Sequence, residues 1–254
     1  MKYTKVACVA SRAAVAQGAL KLLQTHYDFV EVKHAQLIVA LGGDGFVLHC
    51  LHQYMQYNIP IYGINRGTVG FLMNRFSEEN LYQRVNDARC EKMHPLKMVT
   101  KSATGQITSA LAFNEVSLTR KSQQAAHLEV VIDGKIRLEK LVSDGILVAT
   151  PAGSTAYNLS VHGPIIPLGS NILALTPISP FRPRRWRGAL LPHNVTIDLI
   201  NKDPVKRPIS ATADSLEVLN IKSVRITEEP DRYVTLLFDQ HHSLEERIIR
   251  EQFA

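Results

Sequence analysis

The chain has 254 residues, 45% of them apolar and 20% charged, which is enough for one or two domains with a buried core that needs no staples. A net charge of +6 suits an anionic partner, either a nucleotide or a nucleic acid. No apolar run reaches the ~18 residues that cross a bilayer, no signal-peptide core follows Met1, and Cys8, Cys50 and Cys90 match no metal or disulfide spacing, so a reducing cytoplasm and no membrane partner are expected.

Val6 to Ala10 reads as a strand, and Ser11 as the cap of a helix running to about Leu23. Leu37 to Leu41 is the second strand. It breaks into Gly42-Gly43-Asp44-Gly45, after which Val47, Leu48, Leu51, Tyr54 and Met55 recur at helical spacing. A strand, a glycine-rich turn and a helix N-terminus make a site for anions, and Gly42, Gly43 and Gly45 let phosphate oxygens approach the backbone N–H groups. Asp44 would repel phosphate in a pure anion cradle. A metal or a proton transfer explains it, and that combination suggests phosphoryl transfer. His49 stacks one helical turn behind the phosphate loop. With His52 it makes too small a pair to count as a metal site, and no protein metal site is expected.

Pro60 to Ile64 is the third strand. It runs into a second glycine-rich turn, from Gly63 through Gly67 to Gly70-Phe71-Leu72, whose spacing is neither a dinucleotide fingerprint nor a Walker loop. Alone, such a turn is more often an ordinary loop; placed after the next strand from Asp44, it could form the other lip of the same cleft, with Phe71 as an apolar face for an adenine ring. Ser77, followed by Glu78 and Glu79, opens another helix. Strand–helix alternation predicts a parallel α/β sheet with ligands at the carboxyl ends of its strands.

After Met93 short strand-like runs dominate: Ala110 to Thr119, His127 to Ile132, Gly145 to Ala149, Val195 to Ile200, Ser223 to Ile226 and Tyr233 to Phe238. Asp133-Gly134 is a hairpin turn. Asn114-Glu115 breaks the apolar alternation, as an exposed strand edge or as hydrogen-bonding groups for a sugar or base. From Ser143 to Ser160 a strand enters a Pro-Ala-Gly turn, and Ser154 caps a short helix whose first turn offers the N–H groups of Thr155 and Ala156. An isolated strand–turn–helix is usually structural, but the hydroxyl and amide groups of Thr155, Tyr157, Asn158 and Ser160, around Leu159, point towards a ligand site. Arg182 to Arg187 holds four arginines and Trp186, fit for stacking and charge contacts with single-stranded nucleic acid, for a nucleotide phosphate, or for a solvated loop. The run is short and has no accompanying motif, so no nucleic-acid partner is expected. Ser243 and Glu246 form a capping box that opens a helix to about Gln252.

Taken in order, Gly42-Gly43-Asp44-Gly45, Gly63-Ile64-Asn65 through Gly67, Gly70-Phe71-Leu72, Asn114-Glu115, Asp144-Gly145 through Thr150-Pro151, Gly153-Ser154-Thr155-Ala156-Tyr157 and Gly163-Pro164 resemble the NAD kinase family. A lone Gly-Gly-Asp-Gly is shared with lipid kinases and phosphofructokinases, whereas the run from Asp144 to Tyr157 is much more specific. The resemblance implies transfer of phosphate from ATP or polyphosphate to the adenosine-ribose 2′-hydroxyl of NAD. It implies an α/β N-terminal domain with a parallel sheet over residues 1–92, completed by 238–254, and a β-rich NAD-binding domain over 93–237. It also implies a homodimer or homotetramer with the NAD site at a subunit contact. On that footing Asp44 is the base, and the N–H groups of Gly42, Gly43 and Gly45 hold the donor's phosphates. Mg²⁺ is bridged mainly by substrate oxygens and water. Asn114, Glu115, Thr155 and Tyr157 position the dinucleotide, joined by Ser160, by Asp144 from a neighbouring subunit, and by backbone contacts of Ala152 and Ala156. Three departures stand out: Phe46 where threonine or serine is common, Val161-His162 where small residues usually precede Gly163, and Asp214-Ser215 where many members carry Asp-Gly. The competing readings are a lipid kinase of the diacylglycerol-kinase type and an NAD(P)-sensing module without turnover. The run from Asp144 to Tyr157 argues against the first, and the intact Asp44 against the second.

Overall fold

A computed structural model describes residues 2–67 and 70–240. The chain divides into two units, one holding residues up to Met93 and from Tyr233 on, the other spanning His94–Arg232. In chain order the first unit carries β1 (Val6–Ala10), α1 (Ala14–Gln24), β2 (Leu37–Gly42), α2 (Asp44–Tyr54), β3 (Ile61–Asn65), α3 (Leu81–Asp87) and β4 (Arg89–Met93). The second carries β5 (Leu96–Ser102), β6 (Ile107–Ala112), β7 (Glu115–Arg120), β8 (Ala126–Ile132), β9 (Lys135–Ser143), β10 (Gly145–Ala149), α4 (Tyr157–Ser160), β11 (Ile172–Ile178), β12 (Ala189–Pro192), β13 (Ile197–Asn201), β14 (Ile209–Ala213), β15 (Leu216–Val218) and β16 (Ile221–Glu228). The chain then returns to the first unit with β17 (Val234–Phe238).

Among the described residues the first unit is a five-stranded sheet in the order β1-β2-β3-β17-β4, parallel except for β4. All six residues of β2 are buried, as expected of a parallel strand covered on both faces. α1 buries Ala16, Ala19 and Leu23, spaced three and four apart on one stripe. Its N-cap is Ala13, not Ser11. The Ser11 N–H is bonded to the Leu41 carbonyl, so Ser11 prolongs the strand pairing instead of starting the helix. Ser77 does not open α3 either. It accepts the Glu79 N–H in a separate turn, and Asn80 at φ +56° breaks the backbone before Leu81 begins the helix. The run from Tyr233 to Phe238, assigned by pattern to the β-rich half, is a central strand of this sheet, so the return comes earlier than residue 238. The expected helix from Ser243 to Gln252, and Thr68 and Val69 in the second glycine-rich turn, lie outside the described residues.

The second unit is built from two antiparallel six-stranded sheets among its described residues, β12-β11-β10-β7-β14-β15 and β6-β5-β16-β13-β8-β9. One core joins them: Val116, Leu118, Ile146 and Val148 from the first sheet lie in the same cluster as Met98, Leu128, Val130, Leu199 and Ile226 from the second. The expected single strand from Ala110 to Thr119 is two strands, because the chain leaves one sheet after Ala112 and enters the other at Glu115. The β8–β9 hairpin turns at Asp133 (φ +50°) and Gly134 (φ +73°), the pair of positive angles that a two-residue hairpin loop demands. β10 is buried along its whole length, its second face covered by Val161 and Ile166 of the segment that follows it.

Gly145 shows how tightly β10 is held. A Cβ there would lie 2.0 Å from the Leu118 carbonyl oxygen on the paired strand β7. Gly145→Ala is expected to lower stability by about 1–3 kcal/mol or more, the range for overpacking a dense interior. An unfolding midpoint in urea equal to that of the wild type would contradict this packing.

Candidate active site

In the first unit, Gly42 ends β2, and its carbonyl accepts the Arg66 N–H at 2.7 Å, which draws the loop after β3 to the carboxyl end of β2. Gly43 caps α2 in an extended conformation, and its carbonyl accepts the N–H groups of Phe46 and Val47. First-turn amides of an α-helix have no acceptor within the helix and favour anions. A Cβ on Gly43 or Gly45 would meet nothing within 4 Å, so the space before this helix end is open. Gly42 differs: a Cβ there would lie 2.7 Å from the Phe46 Cβ, so packing under Phe46 by itself accounts for that glycine.

Asp44 is the first residue of α2. Its Oδ2 accepts the Phe71 N–H at 2.7 Å and its Oδ1 the Leu72 N–H at 3.0 Å. The second glycine-rich turn therefore reaches Asp44, as expected of a second lip. Gly70 must be small here, since its Cβ would stand 2.6 Å from the Met73 side chain and 3.2 Å from the Asp44 Oδ1. Phe71 is half-buried beside the carboxylate. His49 is exposed on α2, its ring stacked on Phe46 with centroids 6.4 Å apart. Among the described residues no group of three or more His, Cys, Asp or Glu could hold a metal.

In the second unit a clamp organises the Asn114-Glu115 pair. Asp214, at φ +50°, accepts three successive backbone N–H groups: Phe113 on Oδ2 at 2.7 Å, then Asn114 at 3.0 Å and Glu115 at 3.2 Å on Oδ1. Thr150 donates its hydroxyl to the Phe113 carbonyl and its N–H to the Asn114 carbonyl. Gly153 packs so closely that a Cβ would lie 2.0 Å from the Asn114 oxygen. Asn114 Oδ1 and Glu115 Oε2 are buried with no hydrogen-bond partner among the described residues. Burial, with the nearby Asp214 charge second, pushes the Glu115 carboxyl up to about 7. The exposed-edge reading therefore fails: Glu115 heads β7, which runs between β10 and β14. A ligand that brought donors would satisfy both atoms.

The segment after β10 departs from expectation in three places. Ser154 caps no helix. It is buried in the 3₁₀ turn Ala152–Thr155, its hydroxyl donating to the Pro151 carbonyl and accepting the Ile166 N–H. The Ala156 N–H is not on offer to a ligand, because it bonds the Gly153 carbonyl at 2.9 Å. Asn158 is fully buried, its amide donating to the Ser154 and Pro164 carbonyls and accepting the Thr176 hydroxyl, so it is an internal tie and not a ligand group. Ala152 is buried, and Thr155 and Leu159 are half-buried. Tyr157 and Ser160 are exposed. Asp144 pairs with Arg120 Nε at 2.5 Å, its side chain 43% exposed. Sequence reasoning took Asp214 only as a departure from a pattern and missed the roles of Thr150 and Arg120. No local signal marked Asp214, whose partners lie about a hundred residues away.

Residues 1–92 match the ATP-NAD kinase N-terminal domain, and residues 113–228 the ATP-NAD kinase C-terminal domain. The chain belongs to the NAD kinase family. An NAD kinase of Rhizobium meliloti is 53% identical over 253 residues, covering 100% of this chain and 98% of its own. One of Caulobacter vibrioides is 53% identical over 253 residues, covering 99% and 96%. Two solved structures share the fold. Yeast NADH kinase complexed with NADH aligns with a TM-score of 0.83 at 21% identity over 98% of this chain and 86% of its own. An NAD kinase from Archaeoglobus fulgidus in complex with ATP aligns at 0.74 and 23% identity over 93% and 94%. An α/β N-terminal domain followed by a β-rich one is thus the architecture this NAD kinase family member shares with them.

Glu115 supplies a pH test. Its folded pKa lies above the ordinary carboxyl value of about 4.3, so its contribution to stability is fully present below that value. It is lost as pH rises through about 7, where the buried carboxyl must ionise. Glu115→Gln removes this titration. The ligand-free wild type is expected to lose Tm relative to Glu115→Gln between roughly pH 5 and 8, and parallel Tm profiles would contradict it.

Proposed function

We propose that this chain transfers a phosphoryl group from ATP or polyphosphate to the 2′-hydroxyl of the adenosine ribose of NAD, forming NADP. The observation that carries the reading is Asp44, fixed by the Phe71 and Leu72 amides at the open N-terminal end of α2. Family membership supports it, as do the substrates named for the solved relatives, NADH in one and ATP in the other.

In this reading the first-turn amides of α2, with Gly43 and Gly45 leaving room, hold the donor's phosphates. The 2′-oxygen attacks the terminal phosphorus, and the bond to the bridging oxygen breaks, releasing ADP when ATP is the donor. Asp44 aligns the hydroxyl and accepts its proton as the new P–O bond forms. Asn114 and Glu115 accept hydrogen bonds from the dinucleotide's hydroxyl or amide groups, with Thr155, Tyr157 and Ser160 beside it. The donor set suits Mg²⁺ carried by substrate: Asp44 is the single carboxylate in the two glycine-rich turns, and hard cations fill their shells with oxygen. When bound, Mg²⁺ would neutralise phosphate charge. The reading extends to a cytoplasmic homodimer or homotetramer in which Asp144 meets a dinucleotide held by another chain. No helix of the described residues is long and apolar enough to cross a membrane. Nothing favours the lipid-kinase or sensor alternatives.

Asp44→Asn keeps the shape and removes the acceptor of the proton. We expect kcat for NADP formation to fall about 10²–10⁴-fold with NAD binding largely kept. Turnover within about twofold of wild type would sink the role.

Assembly is tested separately. Asp44→Asn and Asp144→Ala chains, each folded, oligomeric and inactive alone, should regain NADP formation when mixed and allowed to exchange. A mixed dimer then holds one site with both lesions and one with neither. A fully exchanged mixture with no recovered activity would place both aspartates within one subunit.

A further inference from the structure

We propose that Arg182 and Arg184 bind the pyrophosphate of the dinucleotide substrate. This rests on the reading that Asp144 touches a dinucleotide held by another chain. The first observation is one of charge: no Asp or Glu occurs between Asp144 and Asp198, while four arginines fall between positions 182 and 187. Two of them converge. The guanidinium carbons of Arg182 and Arg184 lie 5.7 and 5.6 Å from the centroid of the same Phe181 ring, which is 54% exposed. The arginine ion pairs among the described residues use Arg84, Arg89, Arg120 and Arg225, so none of the four loop guanidiniums is neutralised there. Two like charges gathered on one ring repel, and an anion bridging them removes that cost. Stacking occupies the face of a guanidinium and leaves its in-plane N–H donors for a phosphate.

The loop is anchored, which separates it from a solvated basic run. Phe181 and Arg182 donate their N–H groups to the Val142 carbonyl at 2.8 and 3.1 Å, and the Val142 N–H returns a bond to the Arg182 carbonyl at 2.8 Å. Trp186 packs on the core of the second unit. Gly188, at φ +105°, sits where a Cβ would be 2.1 Å from the Leu175 oxygen. The anchor also fixes the location. Val142 is two residues from Asp144, and the Asp144 N–H bonds the carbonyl of Ile178, the residue from which the loop departs. Asp144 is offset by Arg120, and Glu139 on β9 has Arg137 two residues before it. The face beside Asp144 is therefore positive, which an anionic dinucleotide requires if it is to approach a carboxylate. Nucleic acid fits less well: the Phe181 ring already carries guanidiniums and Trp186 is packed inward, so bases find no stacking platform.

The test is the full-length double variant Arg182→Gln/Arg184→Gln, with Lys101→Gln/Lys222→Gln as a charge-matched control on exposed positions of β5 and β16. The loop variant should raise the KM for NAD about tenfold, with kcat within about twofold and the KM for ATP unchanged. Calorimetry should show the same loss of NAD affinity at a temperature where both variants are folded. Arg182→Lys/Arg184→Lys, which keeps the charge, should recover part of it. An unchanged KM for NAD, an equal rise for ATP, or an equal rise in the control would each overturn the proposal. So would oligonucleotide binding below about micromolar at roughly 150 mM salt that the loop variant abolishes. A wild type that forms no NADP overturns the kinase reading itself. A wild type that is active, with Asp144→Ala at unchanged NAD affinity, removes only the Asp144 premise and the arginine site with it.

Discussion

The carboxylate of Asp214 accepts the backbone N–H groups of Phe113, Asn114 and Glu115 at the point where the chain passes from one sheet of the second unit to the other. A buried amide left without an acceptor costs about 1–3 kcal/mol, and three stand in succession there. A carboxylate offers four lone-pair sites, so one side chain serves all three. Asp214 does this from a left-handed backbone position, φ +50°. The Asn114 carbonyl then meets the Thr150 N–H, and Gly153 closes against it. The turn after β10 and the head of β7 are thereby one piece, and the acceptors of Asn114 and Glu115 take their positions from it.

The first unit uses the same chemistry to a different end. Asp44 also accepts successive main-chain N–H groups, from Phe71 and Leu72, but it does so at the open end of a helix. A hydrogen bond to a charged group is worth about 1.5–3 kcal/mol, whereas the helix terminus contributes about 0.3–1 kcal/mol. The amides, more than the dipole, hold this carboxylate. Bonds from the Phe71 and Leu72 amides to both of its oxygens make it a positioned acceptor. That suits phosphoryl transfer, where alignment and charge stabilisation supply most of the acceleration.

Much of this was legible where local physics decides. β2 shows as an apolar run because both its faces are covered, the β8–β9 turn because Asp-Gly tolerates positive φ, and the start of α2 because glycines precede a helical pattern. Three serines read as helix caps, Ser11, Ser77 and Ser154, are engaged elsewhere: the Ser11 main chain extends the strand pairing, the Ser77 hydroxyl holds a separate turn, and the Ser154 hydroxyl ties to Ile166. β9 was missed because its exposed charges suit an edge strand and hide the alternation. β17 was seen as a strand but placed in the wrong half, since sheet membership is a matter of topology and not of local pattern. At the site, Gly43, Asp44 and Phe71 are neighbours as the turns suggested. Asn158 misled because a polar residue in a polar stretch looks the same whether it serves a ligand or ties three segments together. Asp214 was illegible because its partners lie about a hundred residues away.

The least comfortable feature of the second unit is also its most informative one. Asn114 Oδ1 and Glu115 Oε2 are buried and meet no donor among the described residues, each at a cost on the order of 1–3 kcal/mol. Packing alone would replace such a pair with apolar side chains. Glu115 meets part of the cost by holding its proton up to about pH 7, which trades charge burial for a neutral carboxyl. A ligand that brings hydroxyl or amide donors removes the remainder and at the same time favours the ionised form. Binding of such a ligand, proton release and the stability of this node would then be one linked equilibrium. At a ligand concentration a hundred times its Kd that linkage is worth about 2.7 kcal/mol, comparable to what the bare acceptors cost. The bonds of Asp214 and Thr150 hold the backbone of Phe113, Asn114 and Glu115, and so fix where these two acceptors stand.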